Sequence, residues 1–115
     1  MLKYYHLDNC SRNGLPQNSF EINAKSQWAS PYQIRYWEGD WFVYDSRSRR
    51  GELAPDMDAA IARMLELYKA YCREMIWLNP DWIAPLKDCD YLCDCWFSGG
   101  PARVLCEVIN ENKPG

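Results

Sequence analysis

Several features that would point to familiar classes of protein are missing from this sequence. It contains no run of 18 apolar residues, so no segment is expected to span a membrane. Its N-terminal stretch lacks the apolar core of a signal peptide, which predicts a cytoplasmic protein with reduced thiols. The net charge is −3, which argues against a general DNA- or RNA-binding protein, because such a protein would carry a basic face.

Histidine is nearly absent, since His6 is the only one. A lone histidine beside tyrosines is more often structural than catalytic, and its partner cannot be chosen from the sequence. No Ser/His/Asp or Cys/His arrangement can therefore be assigned. The sequence favours a protein that is not an enzyme, and no cofactor is expected.

Aromatic side chains, in contrast, are abundant. The 115 residues include six Trp and eight Tyr, within a composition that is otherwise ordinary for a globular protein. The length indicates a single domain over residues 1–115. A domain of this size cannot bury so many rings, and exposed Trp and Tyr are favoured at protein interfaces and ligand clefts.

The most regular pattern is helical and runs from Asp56 to Leu78. Asp56 can cap this helix, and Asn79-Pro80 ends it. One further helical turn follows Pro80 and is expected to stop at Pro85. Apolar residues recur on one face of the long helix at helical spacing. They are Ile61, Met64, Leu65, Tyr68, Cys72, Met75 and Ile76.

Short apolar or alternating stretches predict the strands. The predicted strands cover residues 2–7, 20–22, 32–38, 41–45 and 91–97. The third and fourth flank Glu38-Gly39-Asp40, a typical hairpin turn. A C-terminal helix begins at Pro101, which suits a first helical position. Together these elements predict an α/β or α+β fold: a small single-domain sheet with a β-hairpin, one long amphipathic helix and a C-terminal helix packed on it.

The hairpin and the loop after it carry the candidate partner-binding residues. Trp37 and Trp41 flank the hairpin turn, where they either pair across the strands or form an exposed aromatic patch. Arg47, Arg49 and Arg50 follow in a basic loop, which is either simply solvated or binds phosphate or a carboxylate-rich partner.

The loop before the C-terminal helix is a candidate ligand site. Gly99 and Gly100 lie between a buried strand and the start of a helix, where free backbone N–H groups favour an anion. Arg103 in the first turn would add positive charge. Alternatively, the glycines only permit a tight connection.

The cysteines admit two interpretations. Cys89, Cys93, Cys95 and Cys106 could be read as four thiolate ligands of zinc. Their spacing lacks the Cys-x-x-Cys pairs of structural zinc sites, so burial as small hydrophobic side chains is favoured and no metal is expected. A reactive thiol needs an electropositive setting, whereas Asp88, Asp90 and Asp94 surround this segment with negative charge.

Three segments resemble a domain family without an assigned function that many phage and bacterial proteins share. Ser26–Tyr32 (SQWASPY) resembles the family's Ser-x-x-x-Asn-Pro-Phe-like segment. Leu92–Trp96 (LCDCW) and Ala102–Leu105 (ARVL) are similar to its Leu-x-Cys-Trp-Cys strand and its Ala-x-Val-Leu helix. The resemblance covers roughly residues 20 to 110, and it implies a setting of host interaction or nucleotide metabolism.

The chain departs from the family pattern at two places. Ser30 stands where the family has Asn, and Gly100-Pro101 stands where it has Cys-His. The resemblance places Ser26 and Ser30 near the glycine loop as further ligand-binding candidates. If the Cys-His pair serves chemistry or a metal in relatives, this chain has lost that site.

These observations lead to two hypotheses for function. The first is a non-catalytic intracellular binding protein of phage or mobile-element type, which inhibits or modulates a host protein complex, plausibly as an anti-CRISPR-like inhibitor of host defence. No direct contact with nucleic acid is expected, although an acidic protein can occupy a basic nucleic-acid channel. The alternative is a nucleotide- or sugar-phosphate-binding protein, or a small transferase- or hydrolase-type enzyme, that uses the Gly99-Gly100 loop.

Overall fold

A computed structural model describes residues 2–6, 17–22, 26–94 and 100–111 of the chain. Its strands are β1 (Lys3–His6), β2 (Ser19–Glu21), β3 (Tyr32–Trp37), β4 (Asp40–Asp45), β5 (Arg50–Ala54) and β6 (Tyr91–Asp94). Its helices are α1 (Met57–Leu78), a 3-10 helix (Pro80–Ile83), α2 (Ala84–Lys87) and α3 (Pro101–Glu111). The predicted α+β fold with a hairpin and a long helix is confirmed.

Helix α1 packs on the antiparallel sheet and on α3, and it shares a hydrophobic core with the parallel sheet. The Asp56 carboxylate caps it by accepting a hydrogen bond from the backbone N–H of Ala59 at 2.8 Å, and Asn79 follows its last residue. Its buried residues recur every fourth position. They are Ala60, Met64, Tyr68, Cys72 and Ile76. The first two pack on one sheet and the last three belong to the core beneath the other, so α1 joins the two sheets.

The first sheet is antiparallel and has the strand order β3-β4-β5. Glu38 and Gly39 form its first turn with φ values of 50° and 85°, the left-handed conformation that two-residue hairpins require. Residues 46–49 form the second turn. Arg50 then begins β5, so the basic stretch after the hairpin is a tight turn and the start of a third strand.

The second sheet is parallel and has the order β1-β6-β2. β1 and β2 are its edge strands, and β6 lies between them. One face of the sheet carries Leu92 at its centre, flanked by Tyr4 and Phe20, and packs on the core of helices α1 and α3. No helix in the described ranges is long and apolar enough to cross a membrane.

Two local expectations need correction. The sequence predicted one sheet, whereas the strands divide into two that share no strand. The expected helical turn from Pro80 to Ile83 is present as a 3-10 helix, but Pro85 does not end the helical stretch. It occupies one of the first two positions of α2, where its missing N–H needs no partner. The last three residues of the predicted strand 91–97 lie outside the described residues.

Candidate protein-interaction surface

The antiparallel sheet has one face covered by α1 and one face that no helix of the described residues covers. On the covered side, Val43 and Ala54 are buried against α1. Side chains alternate along each strand, so the register assigns the other residues to the opposite side. This open face consists of Gln33, Arg35, Trp37, Asp40, Phe42, Tyr44, Gly51 and Leu53.

Large apolar side chains on the open face remain in contact with solvent. Trp37 is 68% exposed and Leu53 is 64% exposed. Phe42 lies directly opposite Leu53 and is half-buried, with its ring beside Gly51. A Cβ added at Gly51 would lie 3.5 Å from the Cδ1 atom of Phe42, an ordinary van der Waals contact, so the ring lies directly beside this glycine. The face therefore carries an apolar patch around Phe42, with Trp37 and Leu53 exposed beside it.

Arg35 is held across this face rather than extended into solvent. Its guanidinium lies 3.9 Å from the centre of the Tyr44 ring, a cation–π contact. Its Nε and Nη2 atoms donate to Oε1 of Gln33 at 3.3 and 2.9 Å. Because these contacts already restrain the side chain, a partner that binds Arg35 pays less conformational entropy.

The register separates the two tryptophans that the sequence placed together. Trp37 is opposite Asp40, and Trp41 is opposite Tyr36, with ring centres 4.9 Å apart. The predicted cross-strand pair of Trp37 with Trp41 is therefore wrong, because a two-residue turn offsets them by one position and puts them on opposite faces. Trp37 belongs to the open face, and Trp41 packs beside Ile34 on the covered face.

The three arginines after the hairpin also differ from one another. Arg47 points back to the body of the protein: its Nη2 donates to the Tyr32 hydroxyl at 2.8 Å, and its guanidinium lies 4.9 Å from the centre of the Tyr71 ring. It also pairs with Asp45 at 3.3 Å. Arg49 and Arg50 are exposed, and neither makes an ion pair within the described part of the chain.

The candidate ligand loop lies at a different place, where the parallel strands end. Gly99 falls outside the described residues. The backbone N–H of Ala102, at the start of α3, donates to Oδ2 of Asp94 at 2.8 Å. The Asp94 carboxylate is 2% exposed, and its Oδ1 accepts the Tyr4 hydroxyl at 2.6 Å. Burial, followed by this hydrogen bond, raises the pKa of Tyr4.

One backbone N–H at the predicted anion site thus already binds a carboxylate of the protein itself. Gly100 is buried beside this network, and Arg103 pairs with Glu107 one turn along α3 at 2.8 Å. Ser30 makes its hydrogen bonds with Tyr32 and Met64. The signal for the buried carboxylate was visible in the sequence, since Asp94 is the only charged residue within the predicted strand 91–97.

Ser26 and Ser30 lie in a segment that packs inside the protein. The carbonyl of Ser26 accepts the N–H of Ala29 at 3.1 Å in a turn, and the Ser30 hydroxyl accepts the N–H of Tyr32 at 3.0 Å. Between them, Trp28 is buried and donates its Nε1–H to the carbonyl of Trp82 at 2.8 Å. In this fold the segment therefore anchors the start of the antiparallel sheet on the core.

The described thiols are mostly buried and surrounded by neutral or acidic groups. Burial raises the pKa of Cys72 to about 12. Burial, followed by the charges of Asp88 and Asp90, also raises the pKa of Cys89. The Cys106 thiol donates to the carbonyl of Leu2. No group of three His, Cys, Asp or Glu side chains that could hold a metal occurs among the described residues, which do not include Cys10 and Cys95.

No protein-family model, curated protein sequence or solved structure matches this chain. The resemblance to a phage and bacterial domain family therefore stays a prediction. The open face was missed by sequence reasoning because β5 was not recognised as a strand. The signal that was available is the alternation of Phe42 and Tyr44 with Trp41, Val43 and Asp45, which gives the hairpin a second aromatic face.

Proposed function

We propose that this chain is a protein-binding module whose contact surface is the open face of the antiparallel sheet. The observation that supports this most is the exposure of Trp37 and Leu53 on either side of Phe42, on a sheet face that none of the described helices covers. Monomeric proteins rarely leave contiguous apolar patches open unless these bind something. Trp, Tyr and Arg are also the residue types that most often dominate binding energy.

The charge of the surface supports a protein partner over nucleic acid. Residues 32–54 contain four arginines and four carboxylates, so the sheet as a whole is neutral. A surface that binds the phosphate backbone would need an excess of Lys and Arg. The finer proposal, a phage-type inhibitor of a host complex, comes from the sequence: its small size, acidic charge, many aromatic residues, lack of an assignable catalytic arrangement, and family resemblance without the Cys-His pair. The same experiment tests it.

The experiment compares three tagged chains as baits in a lysate of the cells in which the protein occurs. They are wild type, W37A/L53A on the open face, and W77A as a control. Trp77 is 85% exposed but lies at the C-terminal end of α1, on the other side of the sheet. Loss of a hot-spot residue weakens binding by roughly 30-fold. We expect a stoichiometric partner with wild type and W77A and its loss with W37A/L53A.

Recovery of the same partner with all three baits would refute the proposal. Both variants must first show wild-type melting, which is expected because neither site is in the core. The tryptophan control is matched in size to the main change on the open face. If the partner is lost only with W37A/L53A, the cause is therefore the change on the open face and not the removal of an exposed indole in general.

The ligand-site alternative has one supporting observation. Gly100 and Arg103 come after β6 in the chain, and β1 and β2 run parallel to β6. Open α/β sheets commonly bind ligands at the carboxyl ends of such parallel strands. An anionic ligand would have to compete with the Asp94 carboxylate for the N–H of Ala102. A thermal-shift screen with nucleotides and sugar phosphates tests this, since a ligand at 100 times its Kd stabilises by about 2.7 kcal/mol. The absence of any shift would count against it.

A further inference from the structure

Charges of opposite sign lie at the two ends of the antiparallel sheet. The acidic end contains the first turn and the segment after β5, with Glu38, Asp40, Asp56 and Asp58. The basic end is the second turn, with Arg47, Arg49 and Arg50. Asp45 also lies at the basic end, where it pairs with Arg47. Arg50 is opposite Asp45 in the register and begins on the covered side, so Arg49 in the turn and the exposed Arg50 at the sheet end supply the remaining positive charge.

These two ends are too far apart to neutralise each other within one chain. Strands β3 and β4 have six residues each, which corresponds to about 20 Å. The Debye length at physiological salt is only about 8 Å. Arg49, Arg50, Glu38 and Asp40 make no ion pair within the described ranges. Each end is therefore available to a charge on another molecule.

We infer that the open face binds the open face of a second copy of this chain, with the strands of the two copies running in opposite senses. A twofold axis between the sheets and perpendicular to the strands brings the acidic end of each copy to the basic end of the other, so the attraction occurs twice. The apolar centre around Phe42, Trp37 and Leu53 then meets its own copy, as in the face-to-face packing of two sheets.

This inference rests on the proposed role of the open face as a contact surface and names one occupant of it. The face measures roughly 20 by 15 Å, which is small beside the ~800 Å² that each partner buries in a stable complex. We therefore expect a weak dimer with a Kd of roughly 10 µM to 1 mM. Such a dimer would cover the apolar face in the free protein. It would dissociate when a partner with higher affinity binds this face.

The first test is sedimentation of the wild-type protein from 20 µM to 1 mM, in 50 mM and in 500 mM salt. We expect a dimer that forms with rising concentration and whose Kd rises about tenfold at high salt, because exposed ion pairs at both ends are screened. The variant W37A/L53A should be monomeric throughout, and W77A should behave as wild type. A wild-type monomer at 1 mM in low salt would overturn the inference.

The second test reverses the charges at each end separately. R49E/R50E makes the basic end acidic, so this variant should repel its own copy and remain monomeric. E38K/D40K removes the excess negative charge of the acidic end, so its dimer should be weaker than wild type. An equimolar mixture of the two should associate more strongly than either alone, because the unaltered basic end of one chain then meets the unaltered acidic end of the other.

The two tests separate failure of this inference from failure of the proposed function. If wild type dimerises but the mixture shows no gain, the antiparallel arrangement is refuted. If wild type is monomeric while W37A/L53A still loses a lysate partner, the inference is refuted and the proposed function stands. Circular dichroism of each variant confirms that the fold is retained, and the salt dependence of wild type needs no substitution at all.

Discussion

Replacing Asp94 by Ala should destabilise the protein by about 3 kcal/mol. The change removes the acceptor of the Ala102 N–H at the start of α3, and loss of a helix cap costs about 1 kcal/mol. It also removes the acceptor of the partly buried Tyr4 hydroxyl, and loss of a hydrogen bond to a charged group costs about 1.5–3 kcal/mol. In a domain of this size, such a loss lowers the melting temperature by roughly 10 °C.

Urea unfolding followed by tryptophan fluorescence measures this cost. E74A is the matched control, since it removes an exposed carboxylate from α1 and should stay within about 0.5 kcal/mol of wild type. Y4F should cost less than D94A, and the double variant Y4F/D94A should cost at least about 1 kcal/mol less than the sum of the two. The reasoning is refuted if D94A matches E74A, or if the two single changes add without coupling.

Three smaller changes test other parts of the fold. Y68F removes a hydroxyl that is buried in the core and donates to the carbonyl of Trp28. It should lower the free energy of unfolding in urea by about 1–2 kcal/mol. An unchanged free energy of unfolding would contradict this hydrogen bond. G39A puts a side chain at a φ of 85° with no atom within 4 Å, so its cost of about 1 kcal/mol in unfolding free energy should come from backbone strain alone. G39N should recover part of this cost. Equal stability of wild type, G39A and G39N would refute this explanation. For R47A we expect a loss of up to about 1 kcal/mol at neutral pH. Burial alone would raise the pKa of Asp45, but hydrogen bonds from Arg47 lower it, so this stabilisation is present above about pH 4 and is lost as the pH falls below that value. Melting curves of wild type and R47A should therefore converge in acid, and a gap that widens would show that the sign is wrong.

Helix α1 and the first hairpin could be predicted because their signals are local. The helix has a capping Asp56, a terminating Asn79-Pro80 and apolar residues at helical spacing, and each of these acts within a few positions of the chain. The turn at Glu38-Gly39 likewise joins two strands that are adjacent in sequence. The residues that determine these elements lie within or next to the elements themselves.

The remaining features depend on contacts between distant residues. β5 (RGELA) has only two apolar residues, and it is a strand because β4 offers a free edge beside it. The division into two sheets is set by pairings such as Tyr4 with Leu92, which are far apart in the chain. The open face could not be recognised without β5, and the position of Arg47 depends on Tyr71 in the middle of α1.

The order of strands in the parallel sheet has a consequence for how the protein is made on the ribosome. β6 is the middle strand, and β1 and β2 pair with it and not with each other. The two N-terminal strands therefore have no hydrogen-bonding partner until residues 91–94 have been synthesised and have left the exit tunnel. The antiparallel sheet and α1 pair locally and can form earlier, because contacts close in sequence cost less chain entropy to close. The antiparallel sheet can thus form while β1 and β2 still have to meet β6.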